Sequence, residues 1–263
     1  MSAKRTGECC LRRNERVKKE WNEAAESWLD FVRKGKDYYR DELNNPATFQ
    51  LIGDVRGLFV LDLACGEGYN TRILARKGAK VVGVDFSETL IELAKQEEDE
   101  EKLGITYYVL DAAELKTLPN NHFDLVTCFM SLQDIEDHKE AISEVARVLR
   151  NHGRFIFSIP HPCFETMNVD GTRKSAARTY FGEIKYPVEW RMKRLVKPFR
   201  TTSFHRTLTS YFGALYRCRL VVSRLVEPRP TEEGLLKYPA LREVLAKPQS
   251  IIVESTKTAD KSA

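Results

Sequence analysis

The chain runs to 263 residues, enough for one large domain with an appendage, and its composition is that of an ordinary soluble globular protein. Its formal net charge of +4 is too mild to imply a nucleic-acid partner by itself. No apolar stretch approaches the roughly 18 residues that span a bilayer, and the basic N-terminus lacks the apolar segment of a secretory signal, so no membrane location is expected.

In chain order, residues 15–33 place Trp21, Ala25, Trp28 and Val32 at spacings of four, three and four, which is one face of a helix. That face either packs on the domain or closes over a ligand. GKDYYRDELNNPATFQLIGD then runs into a second, short helix. From residue 58 strands and helices alternate. LFVLDLA is a buried strand, YNTRILARKG a helix ended by Gly78, KVVGVD a second strand, and ETLIELAKQ a helix N-capped by Ser87. ITYYVLD and HFDLVTCFM are the third and fourth strands. HKEAISEVARVLRNHG is an amphipathic helix stopped by Gly153, and RFIFSIP is the fifth strand.

Residues 164–203 break this pattern with scattered aromatics, little periodicity and an excess of basic residues. An irregular insertion late in a sheet caps a site more often than not. Residues 203–217 return to helix, with His205 opening it; LVVSRLVEP and SIIVEST are late strands. The alternation predicts an α/β fold with a doubly wound, mostly parallel sheet. The expected division is an N-terminal helical lid at 1–50, a cofactor-binding core at 51–163, a cap insertion at 164–203, the rest of the core at 204–258, and a disordered tail at 259–263.

Ligands of such a sheet bind beyond the carboxyl ends of the strands, near the switch point. Those ends supply residues 62–68, Asp85, Asp111, Met130, Ser131 and His161. Gly66 and Gly68 let the backbone approach a ligand closely. Asp85 can accept from both hydroxyls of a ribose, and Asp111 with Ala112 can face an adenine amino group. A dinucleotide turn reads G-x-G-x-x-G, but Thr71 stands in the third glycine's place. Asp62, just before the turn, repels a pyrophosphate and suits an ammonium group, so an aminoacyl nucleoside fits better. Six cysteines at 9, 10, 65, 128, 163 and 218 form no C-x-x-C pair, which argues against a metal site and for a reducing cytosol.

These segments resemble a class I S-adenosylmethionine-dependent methyltransferase over residues 50–160. VLDLACGEGYNTRILA resembles the family's first motif, VVGVDFSETLIELA its second, ITYYVLDAAEL the adenine-contacting segment, and FDLVTCFMSLQDIED the fourth motif. The resemblance implies a Rossmann-like sheet of seven strands, the last antiparallel and matched by SIIVEST. It also implies S-adenosylmethionine as cofactor and S-adenosylhomocysteine as product. By the same resemblance Asp62, Ala64, Gly66 and Gly68 hold the methionine part, Asp85 and Phe86 the ribose and adenine, and Asp111 and Ala112 the adenine, with Met130 along the other side. Two positions depart from the pattern. Ala64 replaces the first turn glycine, tolerable only at negative φ, and Arg219 replaces a glycine after a helix, at a cost of about 1 kcal/mol if left-handed.

A sulfonium methyl is already electrophilic, so a general base is needed only for an acceptor protonated at neutral pH. His161 and His205 are the candidate bases; His122, His138 and His152 read as surface residues. HPCF, SFHRTL and RLVEPRP resemble a small-molecule branch of the family, which favours a small organic acceptor in the cytoplasm. The alternatives are an RNA methyltransferase that grips RNA through YFGEIKYPVEWRMKRLVKPFRTTSFHR, and a cofactor-binding protein without catalysis. Cys163 as an RNA-methylating nucleophile lacks the flanking residues that chemistry uses, and FMSLQD lacks the N/D-P-P-Y signature of amine methylation.

Overall fold

The computed structural model describes residues 5–164, 180–191, 195 and 197–259. The early strands form where apolar runs can be covered on both faces: β1 (Phe59–Leu63), β2 (Lys80–Asp85), β3 (Thr106–Val109), β4 (Phe123–Phe129) and β5 (Leu149–Pro160). Neighbours among these five are parallel. Two late strands, β8 (Leu220–Val226) and β9 (Ser250–Lys257), complete a seven-stranded sheet in the order β3-β2-β1-β4-β5-β9-β8, with β9 antiparallel to both neighbours. The chain steps outward from β1 to β3 and then returns to place β4 on the other side of β1. That reversal opens a crevice at the carboxyl ends of β1 and β4.

Burial on both faces explains why the strands read as continuous apolar runs. On one face Leu61, Leu63, Val126 and Phe157 pack with α5 (His138–Val148) and α6 (Leu208–Arg217). On the other, Val60, Val81, Leu125 and Ile156 pack with α2 (Asn45–Ile52), α3 (Tyr69–Arg76) and α4 (Glu88–Glu101). Each such side chain fully removed from water stabilises the fold by about 1.5–3 kcal/mol. The Ser87 hydroxyl accepts from the Leu90 N–H at 3.2 Å and so caps α4 as its position predicts.

Several boundaries differ from the sequence expectation. The first helix, α1 (Arg5–Arg33), begins well before residue 15. Gly153 does not stop α5, which ends at Val148; it lies inside β5, where a Cβ would sit 2.9 Å from the Arg150 carbonyl oxygen. The described part of the insertion is not irregular. β6 (Ile184–Trp190) and β7 (Phe199–His205) form a separate antiparallel ribbon, so residue 203 falls within a strand and His205 ends it rather than opening α6. Residues 165–179, and the end of the expected tail from 260, lie outside the described residues. Among the described residues no helix is long and apolar enough to cross a membrane.

Ala64 has φ 53°, against the expectation that this residue would require a negative value, and Arg219 has φ 56°. Each is left-handed without being glycine, which costs roughly 1 kcal/mol or more. Ala64→Gly and Arg219→Gly are each expected to raise unfolding free energy by up to about 1 kcal/mol, partly offset by the greater freedom of glycine in the unfolded chain. Urea denaturation of the two variants checks this; a loss of stability in both would show that the turns are not strained.

Candidate functional site

The β1 end is rigid because its carboxylate is already held. Asp62, 1% exposed, accepts from the Thr71 hydroxyl at 2.6 Å and the Thr127 hydroxyl at 2.8 Å, tying β1 to α3 and β4. Residues 64–68 then turn sharply, with Gly66 at φ 58° and Gly68 at φ 81°. A side chain on Gly68 would strike the Tyr107 hydroxyl, whereas the space beside Gly66 is open. The Ala64 carbonyl receives the Ser131 hydroxyl at 3.3 Å, and the Gly66 N–H donates to Asp85 at 2.9 Å, so the strained turn is fixed from both sides.

Asp85, 5% exposed, ends β2 and accepts from the Gly66 and Ser87 N–H groups, both at 2.9 Å. Phe86 beside it is half-buried and Ala112 is buried. Asp111 follows β3; one carboxylate oxygen accepts from the Ala113 N–H at 2.9 Å and the other from the Asn14 side chain of α1. Met130, left-handed at φ 47°, closes β4, its N–H donating to the Ser158 hydroxyl at 3.0 Å. Ala64, Asp85, Asp111 and Met130 thus follow the ends of the four adjacent strands β1 to β4.

Burial dominates the electrostatics here. It pushes the Asp62 carboxyl up to about 6; the two threonine hydroxyls oppose that shift, and the Asp85 and Glu67 charges add to it. Burial likewise raises Asp85 to about 6, against the backbone N–H groups that donate to it. Burial thus leaves both carboxyls easier to protonate than an exposed aspartate. Glu67, unflagged by sequence reasoning, is buried within the turn and pairs with Arg72 at 3.0 Å.

The two candidate histidines have different surroundings. The His161 Nδ1 accepts the Cys163 N–H at 3.2 Å and its Nε2 meets Glu227 at 3.1 Å, so both nitrogens are engaged. His205, 1% exposed, has its Nε2 3.0 Å from the Tyr180 carbonyl oxygen, which fixes the proton there. Its Nδ1 is therefore a lone-pair acceptor, and it is buried without a partner. His138, expected at the surface, is buried instead, 3.1 Å from the Ser210 hydroxyl; burial and the nearby Arg206 charge drive its pKa down to about 3.

His205 belongs to a roof assembled from distant segments. Strand alternation places Phe199, Thr201, Ser203 and His205 on one face of β7, beside Tyr186 and Trp190 of β6. The Ser203 hydroxyl donates to Asp134, in the short 3₁₀ turn after β4. Trp190 meets Trp28 of α1 edge-to-face at 5.6 Å and stacks on Phe199. Along α1, Asn22 accepts from the Ser87 hydroxyl at 2.5 Å and donates to Glu88 at 3.0 Å. Arg206, fully buried, donates to the carbonyls of Leu132, Ile135 and Glu136 and so fixes the loop after β4. Asn14 and Arg206 carry no sequence signal, because their partners are a residue far along the chain and backbone carbonyls; Gln133 bonds its own turn. Among the described residues no cluster of three or more His, Cys, Asp or Glu could hold a metal ion.

Comparison with known proteins agrees with this geometry. A family described as a methyltransferase domain matches residues 61–157. The ubiquinone biosynthesis O-methyltransferase of Coxiella burnetii is 33% identical over 52% of this chain, which spans 58% of that protein. The demethylmenaquinone methyltransferase of Lactococcus lactis is 28% identical over 75% of this chain and 72% of its own length. An S-adenosylmethionine-dependent methyltransferase of known structure from Mesorhizobium loti is 27% identical, with a TM-score of 0.64 over 81% of this chain and 96% of that one.

Proposed function

This chain belongs to the S-adenosylmethionine-dependent methyltransferases, and on that premise we propose that it methylates a hydroxyl of a small organic acceptor, with His205 as general base. The observation that carries the reading is the buried, unpartnered Nδ1 of His205 under the roof of α1 and the ribbon. One relative is named as an O-methyltransferase, and both are named for quinone chemistry.

S-adenosylmethionine supplies an electrophilic methyl group and leaves as S-adenosylhomocysteine. The crevice suits it, since space lies open beside Gly66 and Asp62 and Asp85 stand at the ends of β1 and β2. In this reading Asp62 and residues 64–68 hold the methionine end. Asp85 and Phe86 take the ribose, Asp111 and Ala112 the adenine, and Met130 lines the other side. His205 receives the acceptor's hydroxyl proton at Nδ1 while Nε2 stays on the Tyr180 carbonyl. α1 and the ribbon act as lid and cap, excluding water and aligning the acceptor. His161, engaged at both nitrogens, positions the 161–164 turn.

In this reading Asp62 holds the ammonium of the methionine end, and Asp85 the ribose hydroxyls, as carboxylates. With both near 6, ionisation of each rises from about a tenth at pH 5 to about nine tenths at pH 7, so affinity should climb with pH by about tenfold per group across that window. Calorimetry with S-adenosylhomocysteine at both pH values checks this, and equal affinities would exclude these carboxylates from the site. The proposed function itself is tested with methyl-labelled S-adenosylmethionine and a cell extract separated into RNA, protein and small molecules. Label in an extractable small molecule is expected; label in RNA would transfer the role to the basic ribbon, and no label in any fraction would leave a binding protein.

A further inference from the structure

Gln133 is 8% exposed in the 3₁₀ turn that follows β4. Its Nε2 donates to the Met130 carbonyl at 2.5 Å and to Asp134 at 3.2 Å. Both partners are acceptors, so turning the amide over would set oxygen against two oxygens. The orientation is therefore fixed, and it leaves Oε1 buried with no partner. A buried carbonyl in that state is costly unless something donates to it. Asp134 is also the residue that receives the Ser203 hydroxyl, and Ser203 shares a face of β7 with His205. This chain of contacts sets Gln133 on the roofed side of the crevice. Two buried acceptors, Gln133 Oε1 and His205 Nδ1, thus belong to one neighbourhood, and each requires a donor.

We propose that Gln133 determines specificity by accepting a hydrogen bond from a second donor on the methyl acceptor, beyond the hydroxyl that His205 deprotonates. The inference rests on the hydroxyl-methylation reading above. The enzyme then selects acceptors carrying two hydrogen-bond donors over those carrying one. A site built to bond a hydroxyl discriminates strongly against the analogue lacking it, because its own polar group is then left unpaired.

The test compares catechol with phenol as acceptors for the wild-type protein and for Gln133→Met, which keeps the length of the side chain and removes Oε1 together with the Nε2 donor to Met130 and Asp134. Wild type is expected to favour catechol by about tenfold or more in kcat/KM, and Gln133→Met to level that preference while binding S-adenosylhomocysteine unchanged. Equal use of the two by wild type, or a preference that survives the substitution, overturns the inference alone. A preference lost only in parallel with S-adenosylhomocysteine affinity also overturns it, by assigning the effect to the Met130 turn that Nε2 holds. Transfer to neither compound defeats the hydroxyl-methylation reading and the inference with it. Should the variant fail to fold, calorimetric binding of catechol and phenol to the wild-type protein with S-adenosylhomocysteine present asks the same question: tighter catechol supports the proposal and equal affinities overturn it.

Discussion

Replacing His205 by Ala or Gln is expected to lower kcat by about 10²- to 10⁴-fold, the range that positioned proton transfer contributes, while S-adenosylhomocysteine affinity stays within about twofold. The effect is large because His205 Nδ1 is buried and uncommitted, its tautomer set by the Tyr180 carbonyl. The split between rate and binding separates a base from a structural residue, since a collapsed ribbon would also disturb α1, which leans on both Asp111 and Trp190. Single-turnover rates and calorimetry on the same preparations give both quantities. A kcat within about threefold of wild type would remove His205 from the chemistry.

Asp85→Ala should weaken S-adenosylhomocysteine binding tenfold or more, since a charge-assisted hydrogen bond contributes about 1.5–3 kcal/mol. The same change also strips the Gly66 and Ser87 N–H groups of their acceptor. Each buried donor left unpaired costs a further ~1–3 kcal/mol of fold stability. Affinity must therefore be read at a temperature where the variant is still folded. Asp85→Asn, which keeps one acceptor oxygen, should fall between. Unchanged binding in the Ala variant would place the ribose elsewhere.

The crevice was legible in the sequence because parallel strands covered on both faces leave long apolar runs, and their ends can be counted off: Asp62, Asp85, Asp111 and Met130. The ribbon was not. Its inward face carries Thr201, Ser203 and His205, and its covering aromatic, Trp28, comes from the far end of the chain, so neither alternation nor composition marks it as strand. The end of α5 was missed for a different reason. Val148 and Leu149 continue the apolar pattern of the helix, and Gly153 mimics a stop signal although the backbone crowding inside β5 is what requires it. Gln133 and Arg206 act through backbone carbonyls, which leave no trace in residue type.

Among the described residues the ribbon's strands pair only with each other, and a lone two-stranded ribbon is marginal in water. What steadies it comes from α1 and from the loop after β4. The N-terminal helix and the ribbon are therefore one cooperative unit, although most of the core is translated between them. A nascent chain emerging through β5 already holds Asp62, Asp85, Asp111 and Met130 but neither strand of the ribbon. In hydrogen exchange the two halves of the roof should open together, at a free energy below that of the central strands. Trimming the N-terminus would accordingly be felt first at residues 184–205, far downstream of the cut.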